Sequence, residues 1–267
     1  MWTFATAFAA FTLMISPAGN SQPTSSIANS SANLEPNAVT TKADITKLPY
    51  SRIPAAYLNP AADVDRIAAM ISSNEGKPNS IVWNDNGAGI SVGLLQANQK
   101  KGQLPDLFRR TAESEQGRAE IIEAFGQNKA AQILEDPETI RNWRFSRRNG
   151  LGKSMLMLAN SPTFQNVQLA VLRENIVHAA EISAQHNIES SAGVALVADL
   201  VNQWGERGAH RFIPDGIAED RQIASQIVAE VETQSPYGER YREDLNKAIA
   251  DGLSFNEPFS SEPQLTH

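Results

Sequence analysis

Residues 71–102 read ISSNEGKPNSIVWNDNGAGISVGLLQANQKKG, and the parsing of this stretch decides the fold. Just ahead of it, DVDRIAAMISSNE (residues 63–75) sets Val64, Ile67, Ala68 and Ile71 on one stripe at helical spacing, with Asp63 as the expected N-cap. Glu75 follows Ile71 by four residues, so it extends the same apolar stripe. Burial there removes water from a carboxyl group and favours its protonated form, which suits a proton donor. SIVWNDNGAGIS (residues 80–91) reads as short extended pieces around a glycine- and asparagine-rich turn that carries a second carboxylate, Asp85. From GLLQANQ (residues 93–99) onward the spacing predicts helix again. Two readings stand. Glu75 is a frayed helix end beside a glycine and Asp85 belongs to an Asn-Asp-Asn-Gly turn, or the two are the acid and base of a hydrolase.

Working outward, helices are expected at residues 117–134, 137–145, 150–158 and 163–185, the last with Val167, Leu172, Ile176, Ala179 and Ile182 on its apolar face. AGVALVADLVNQWG (residues 192–205) is apolar almost all round, as a central buried helix is. Two more helices are expected in residues 218–234 and 238–252. The sum is an α+β chain, mainly α, with one small β element near residues 81–91.

The 267 residues, 41% of them hydrophobic, suffice for one substantial core or two small ones. A net charge of −7 argues against general nucleic-acid binding and fits a neutral or cationic substrate. Without cysteine there is neither disulfide nor thiol chemistry, and His178, His186, His210 and His267 lack metal-ligand spacing. No cofactor is expected. The apolar run at residues 2–15 is too short to span a bilayer and resembles the core of an export signal, although no Lys or Arg precedes it. Residues 1–18 are therefore expected to be a signal peptide and residues 19–48, rich in Ser, Asn, Thr and Pro, a disordered linker. Residues 49–252 would form the folded domain and residues 253–267 a flexible tail. This makes the protein a secreted or periplasmic monomer with no stable membrane anchor.

A glutamate ending a helix, a polar β turn with an aspartate, and then Gly-x-x-Gln together resemble the lysozyme-like superfamily. DNGAGISVG (residues 85–93) is similar, with one residue of offset, to the Asp-x-x-Gly-x-Thr/Ser-x-Gly segment of chitosanases. GISVGLLQ (residues 89–96) is similar to the Gly-Leu-Met-Gln turn of goose-type lysozymes and lytic transglycosylases. SPTFQNVQ (residues 161–168), a helix, and VADLVNQWG (residues 197–205) resemble a later chitosanase stretch. The resemblance implies a two-lobed helical fold and hydrolysis of a β-1,4-linked amino-sugar polymer. Glu75 would be the general acid and Asp85 the general base, with Ser91 helping to hold the attacking water. Gln96, Asn84, Gly89 and Trp204 would contact sugar. Where chitosanases follow the acid with Asp, Asn or Gln, this chain has Gly76. Where they carry Arg or Asp two residues after the base, it has Gly87. Those departures favour peptidoglycan over chitosan, whereas the net charge favours the polycation chitosan. A lytic transglycosylase using Glu75 alone and a non-catalytic wall-binding protein are the alternatives.

Three other motifs carry less. NGLGKS (residues 149–154) looks like a phosphate loop, but Arg147 stands where that motif needs glycine. Arg141, Arg144, Arg147 and Arg148 with Trp143 either grip an anionic wall group or form the solvated face of a helix. The Trp and His of NQWGERGAHRF (residues 202–212) either line a cleft or belong to the core.

Overall fold

The computed structural model describes residues 53, 57–59, 61–214, 219–235 and 238–262; the expected signal and linker lie outside them. Helix α1 (Asp63–Asn74) forms where the stripe predicts it, with Ile67, Ala68 and Ile71 fully buried. Its N-cap is Ala62 and not Asp63. Asp63 is the first helical residue, and its carboxylate is occupied elsewhere, accepting from the Ser260 backbone N–H at 3.1 Å and from Arg66 at 3.2 Å.

Beyond Glu75 the chain forms a three-stranded antiparallel sheet in the order β1 (Ile81–Val82), β2 (Ser91–Val92), β3 (Ala97–Asn98). Val82 lies opposite Ser91, and Ser91 opposite Asn98. Helix does not resume at residue 93. Gly93 and Gln96 take left-handed conformations (φ 75° and 45°), which turn the chain into β3. Helix α2 (Gln103–Thr111) starts only after a further left-handed residue, Gly102. The helix expected at 117–134 is likewise two, α3 (Glu115–Phe125) and α4 (Gln127–Glu135), divided at Gly126 (φ 72°). Residues 137–142 make a short 3-10 helix, so the arginines at 144, 147 and 148 sit on the irregular segment after it and not on a helix.

Helices α5 (Gly150–Ala159), α6 (Pro162–Gln185), α7 (Ser191–Phe212), α8 (Asp220–Gln234) and α9 (Gly238–Ala250) follow. Helix α7 is buried without interruption from Ser191 to Val201, as expected of the central helix, and kinks at Gly205 (φ 69°, ψ 174°). The buried apolar residues fall into two clusters. One gathers Ile90, Val92 and Ala97 of the sheet region with Leu104, Phe108, Ile121, Ile133 and Met155. The other gathers α1, α7, α8 and α9 around Ile67, Leu200, Ile227 and Tyr241. Helix α6 is the shared element. Phe164 serves the first cluster, while Leu172, Ile176 and Ile182 serve the second.

Within the expected tail, residues 253–260 lie against the helices, while Ser261 and Glu262 are exposed. Leu253 is buried, and Phe255 and Phe259 lie against the second cluster. Phe259 N–H donates to Glu189 O at 2.8 Å and Ser191 N–H to Glu257 O at 3.0 Å. Two phenylalanines and a leucine among the polar residues supply the apolar surface that holds it.

Candidate active site

Glu75 is the C-cap residue of α1. It leaves the helix in an extended conformation while its N–H still donates to Ile71 O at 3.3 Å. Its residue surface is 8% exposed, as its place on the apolar stripe requires. One carboxyl oxygen, Oε1, accepts from Asn202 Nδ2 at 3.2 Å and from Gln203 Nε2. Both amides stand on the turn of α7 just before the Gly205 kink, so the central helix orients the carboxyl. The next residue, Gly76, lies so close to Ser80, Gln96 and the Gly93 carbonyl that a Cβ there would overlap all three. That contact fastens the end of α1 to the turn following β2, and only glycine permits it.

A charged group lies behind Glu75. Asp199 of α7, 1% exposed, pairs through Oδ1 with Arg240 Nη2 of α9 at 2.9 Å. Arg240 Nε reaches Asp244 Oδ2 at 3.2 Å, which also accepts from Asn74 Nδ2 at 2.6 Å, and Lys247 Nζ is 3.2 Å from Asp244 Oδ1. Asp199 Oδ2 is buried and has no hydrogen-bond partner among the described residues. Burial pushes the Asp199 carboxyl up to about 7. Arg240 opposes this, and the negative charges of Asp244 and Glu75 add to it.

Asp85 occupies the connection between β1 and β2. Its backbone N–H donates to Gly89 O at 2.8 Å and its carbonyl accepts from Ala88 N–H at 2.8 Å, closing a tight turn. Asn84 Oδ1 caps that turn by accepting from Gly87 N–H at 3.2 Å. The carboxylate is half-buried, and Oδ2 accepts from Ser91 Oγ at 2.7 Å and from Asn98 Nδ2 at 3.0 Å. Asn98 Nδ2 also reaches Ser91 Oγ at 3.1 Å. Ser91 and Asn98 are each 1% exposed and paired across the sheet, so strand register places two fixed donors on one oxygen of Asp85.

Two buried glutamines hold this loop in place. Gln168 of α6 accepts from Leu94 N–H and donates to Pro78 O, both at 2.9 Å. Gln99 accepts from Ile90 N–H at 3.2 Å and donates to Ile140 O at 2.6 Å and Trp143 O at 2.7 Å.

Of the residues singled out in the sequence, the structure joins Asp85 and Ser91 directly. It sets Glu75 beside the same hairpin through Gly76. Gln96 ties the loop, its Nε2 donating to Gly93 O at 2.9 Å. Gly89 (φ 86°) is glycine because Gln99 fills the space a Cβ would need. Trp204 belongs to the second cluster. Its ring lies 5.4 Å from that of Phe212, and its indole N–H donates to Tyr241 at 2.8 Å. Sequence reasoning missed Asn98, Asn202 and Gln203. The first was hidden by reading residues 93–99 as helix. The other two follow the apolar run of α7, and two adjacent amides at the end of a buried helix are a usable signal for a polar site.

A scan against protein-family models and searches of the curated proteins and of the solved structures found no match.

Proposed function

We propose that the protein is a secreted, lysozyme-like glycoside hydrolase that cleaves a β-1,4-linked amino-sugar polymer, peptidoglycan first, with Glu75 as general acid and Asp85 as general base. The observation that carries this reading is the contrast between the two carboxyl groups and their common anchorage. Glu75 is nearly enclosed at a helix end with one oxygen held by two amides, while Asp85 is half-exposed with one oxygen held by a hydroxyl and an amide. Unequal environments of this kind divide acid from base. Gly76 abuts Gly93, and Asp85 is bonded to Ser91. These anchor points, Gly93 and Ser91, are two residues apart in the chain, so the end of α1 and the Asp85 turn are fastened to the same short stretch. An inverting pair needs carboxyls about 6.5–9.5 Å apart, to admit a water beside the anomeric carbon.

In this mechanism Glu75 gives its proton to the glycosidic oxygen as the bond to the anomeric carbon breaks. Asp85 takes a proton from the water that attacks the opposite face. Glu75 ends ionised and Asp85 protonated, and exchange with solvent restores both. Ser91 and Asn98, donating to Oδ2, orient Asp85 and support its charge before the proton arrives.

Mass spectrometry of products from purified peptidoglycan and from chitosan oligomers, with Glu75→Gln in parallel, tests the proposal. New reducing ends on wall fragments, absent with the variant, are expected. Anhydro-sugar ends would remove Asp85 from its role, and no cleavage of either polymer by the folded protein would overturn the reading.

A further inference from the structure

The charge of −7 is not spread evenly over the molecule. Residues 76–102 and 141–160 together hold eight basic side chains and one acidic one, Asp85 itself. The structure brings these two segments side by side. Gln99 is bonded to the carbonyls of Ile140 and Trp143, and the ring of Trp83 lies against Gly152 at the start of α5. Arg141 packs on Gly102 and donates to Lys100 O at 3.3 Å. Lys100 Nζ in turn donates to Gly87 O at 2.6 Å, within the Asp85 turn. Arg141 is paired with Glu138, so the basic belt beside the Asp85 hairpin consists of Lys100 and the cations from Arg144 to the first turn of α5.

Arg144, Arg147 and Arg148 are exposed and Lys153 is likewise exposed, and none of the four has an ion-pair partner among the described residues. An ordinary solvated face mixes both signs and pairs them, as Arg109, Arg110, Asp106 and Glu174 do on α2 and α6. Four unpaired cations bordering a candidate catalytic turn, in a chain that is acidic elsewhere, form a local positive potential that attracts an anion and repels a polycation.

We propose that this belt docks the carboxylates of an anionic amino-sugar glycan next to the Asp85 hairpin, so that the substrate carries acidic groups and is not chitosan. The inference rests on the hydrolase reading above and narrows its substrate class. Free lactyl and peptide carboxylates along a wall glycan supply the complementary charge, and arginine forks match carboxylate geometry.

The test uses the full chain as Glu75→Gln, to prevent digestion, sedimented with purified peptidoglycan whose carboxylates are either free or chemically amidated. Free-carboxylate wall is expected to bind about tenfold more tightly at low salt, with the preference vanishing near about 0.5 M NaCl. Adding Arg144→Gln, Arg147→Gln and Arg148→Gln brings the ratio to about one without altering thermal stability. Equal binding of both walls by the parent, or a ratio that survives the triple substitution, overturns the proposal. So does binding lost when wall phosphodiesters are stripped, or binding to a DNA duplex but not to wall. Product analysis of the same walls with intact Glu75 separates the two claims. Cleavage with a ratio of one retains the hydrolase and removes the belt. A tenfold ratio without cleavage does the reverse.

Discussion

Glu75 and Asp85 carry the same functional group in different surroundings, one nearly enclosed and one half-buried, and the proposed mechanism gives them different work. Gln in place of Glu75 preserves shape and an acceptor for Asn202 and Gln203 but cannot donate a catalytic proton. Glu75→Gln is expected to lower kcat by at least about 10³-fold while shifting unfolding free energy by less than about 1 kcal/mol, checked by reducing-end assay and urea melts. Asn98 touches no substrate in the proposed mechanism and acts by holding Asp85 and Ser91. Asn98→Ala is therefore expected to cost about ten- to a hundredfold in kcat with KM little changed, measured by steady-state kinetics on wall fragments. Glu75 was legible in the sequence because four-residue spacing from Ile71 marks a buried helix face. The donors Asn98, Asn202 and Gln203 were not, because only strand register and the approach of α7 bring them to the carboxyls.

At the scale of elements, the helix end and the hairpin are positioned by side chains from distant segments. Gln168 bridges Leu94 N–H and Pro78 O and has no exposed surface. Its removal leaves two buried backbone groups unsatisfied. Gln168→Ala is expected to cost about 2–5 kcal/mol of stability, read from denaturant melts, and to lower activity through loss of the hairpin's position. The same reasoning explains the misread helix at residues 93–99. Its apolar pairs, Leu94–Leu95 and Ala97, suit a helix locally, but two backbone positions of positive φ forbid one, and Gln168 and Gln99 satisfy the resulting loop. Short apolar runs do not distinguish helix from strand, and here tertiary bonds decided it.

Over the whole molecule, the buried Asp199–Arg240–Asp244 group ties α7 to α9 behind the candidate acid. The Asp199 carboxyl is raised from an ordinary value of 3.8 to about 7, so the native state holds a proton that the unfolded chain releases. Its contribution to stability is fully present below pH about 4, falls as pH rises to about 7, and is flat above that. The difference in unfolding free energy between wild type and Asp199→Asn is expected to decline by on the order of 3 kcal/mol across that window, measured by urea melts from pH 4 to 8. A flat difference would show that Asp199 is ionised throughout. The uneven charge also belongs to this scale. The net −7, which fits a neutral or cationic substrate, counts every face equally, whereas folding gathers basic residues of two distant segments beside one hairpin.

The sequence by itself determined the helical character of the chain, the burial of α7, the small β element and the place of Glu75 on a buried stripe. All of these follow from local periodicity and backbone preference, which act over a few residues. Tertiary structure decided the course of residues 93–102, the packing of the segment after residue 252, the donors around both carboxyls and the side on which positive charge collects. Each of these depends on which distant segments become neighbours. Partners 128 residues apart, as Gln203 and Glu75 are, leave no periodic trace in a single chain.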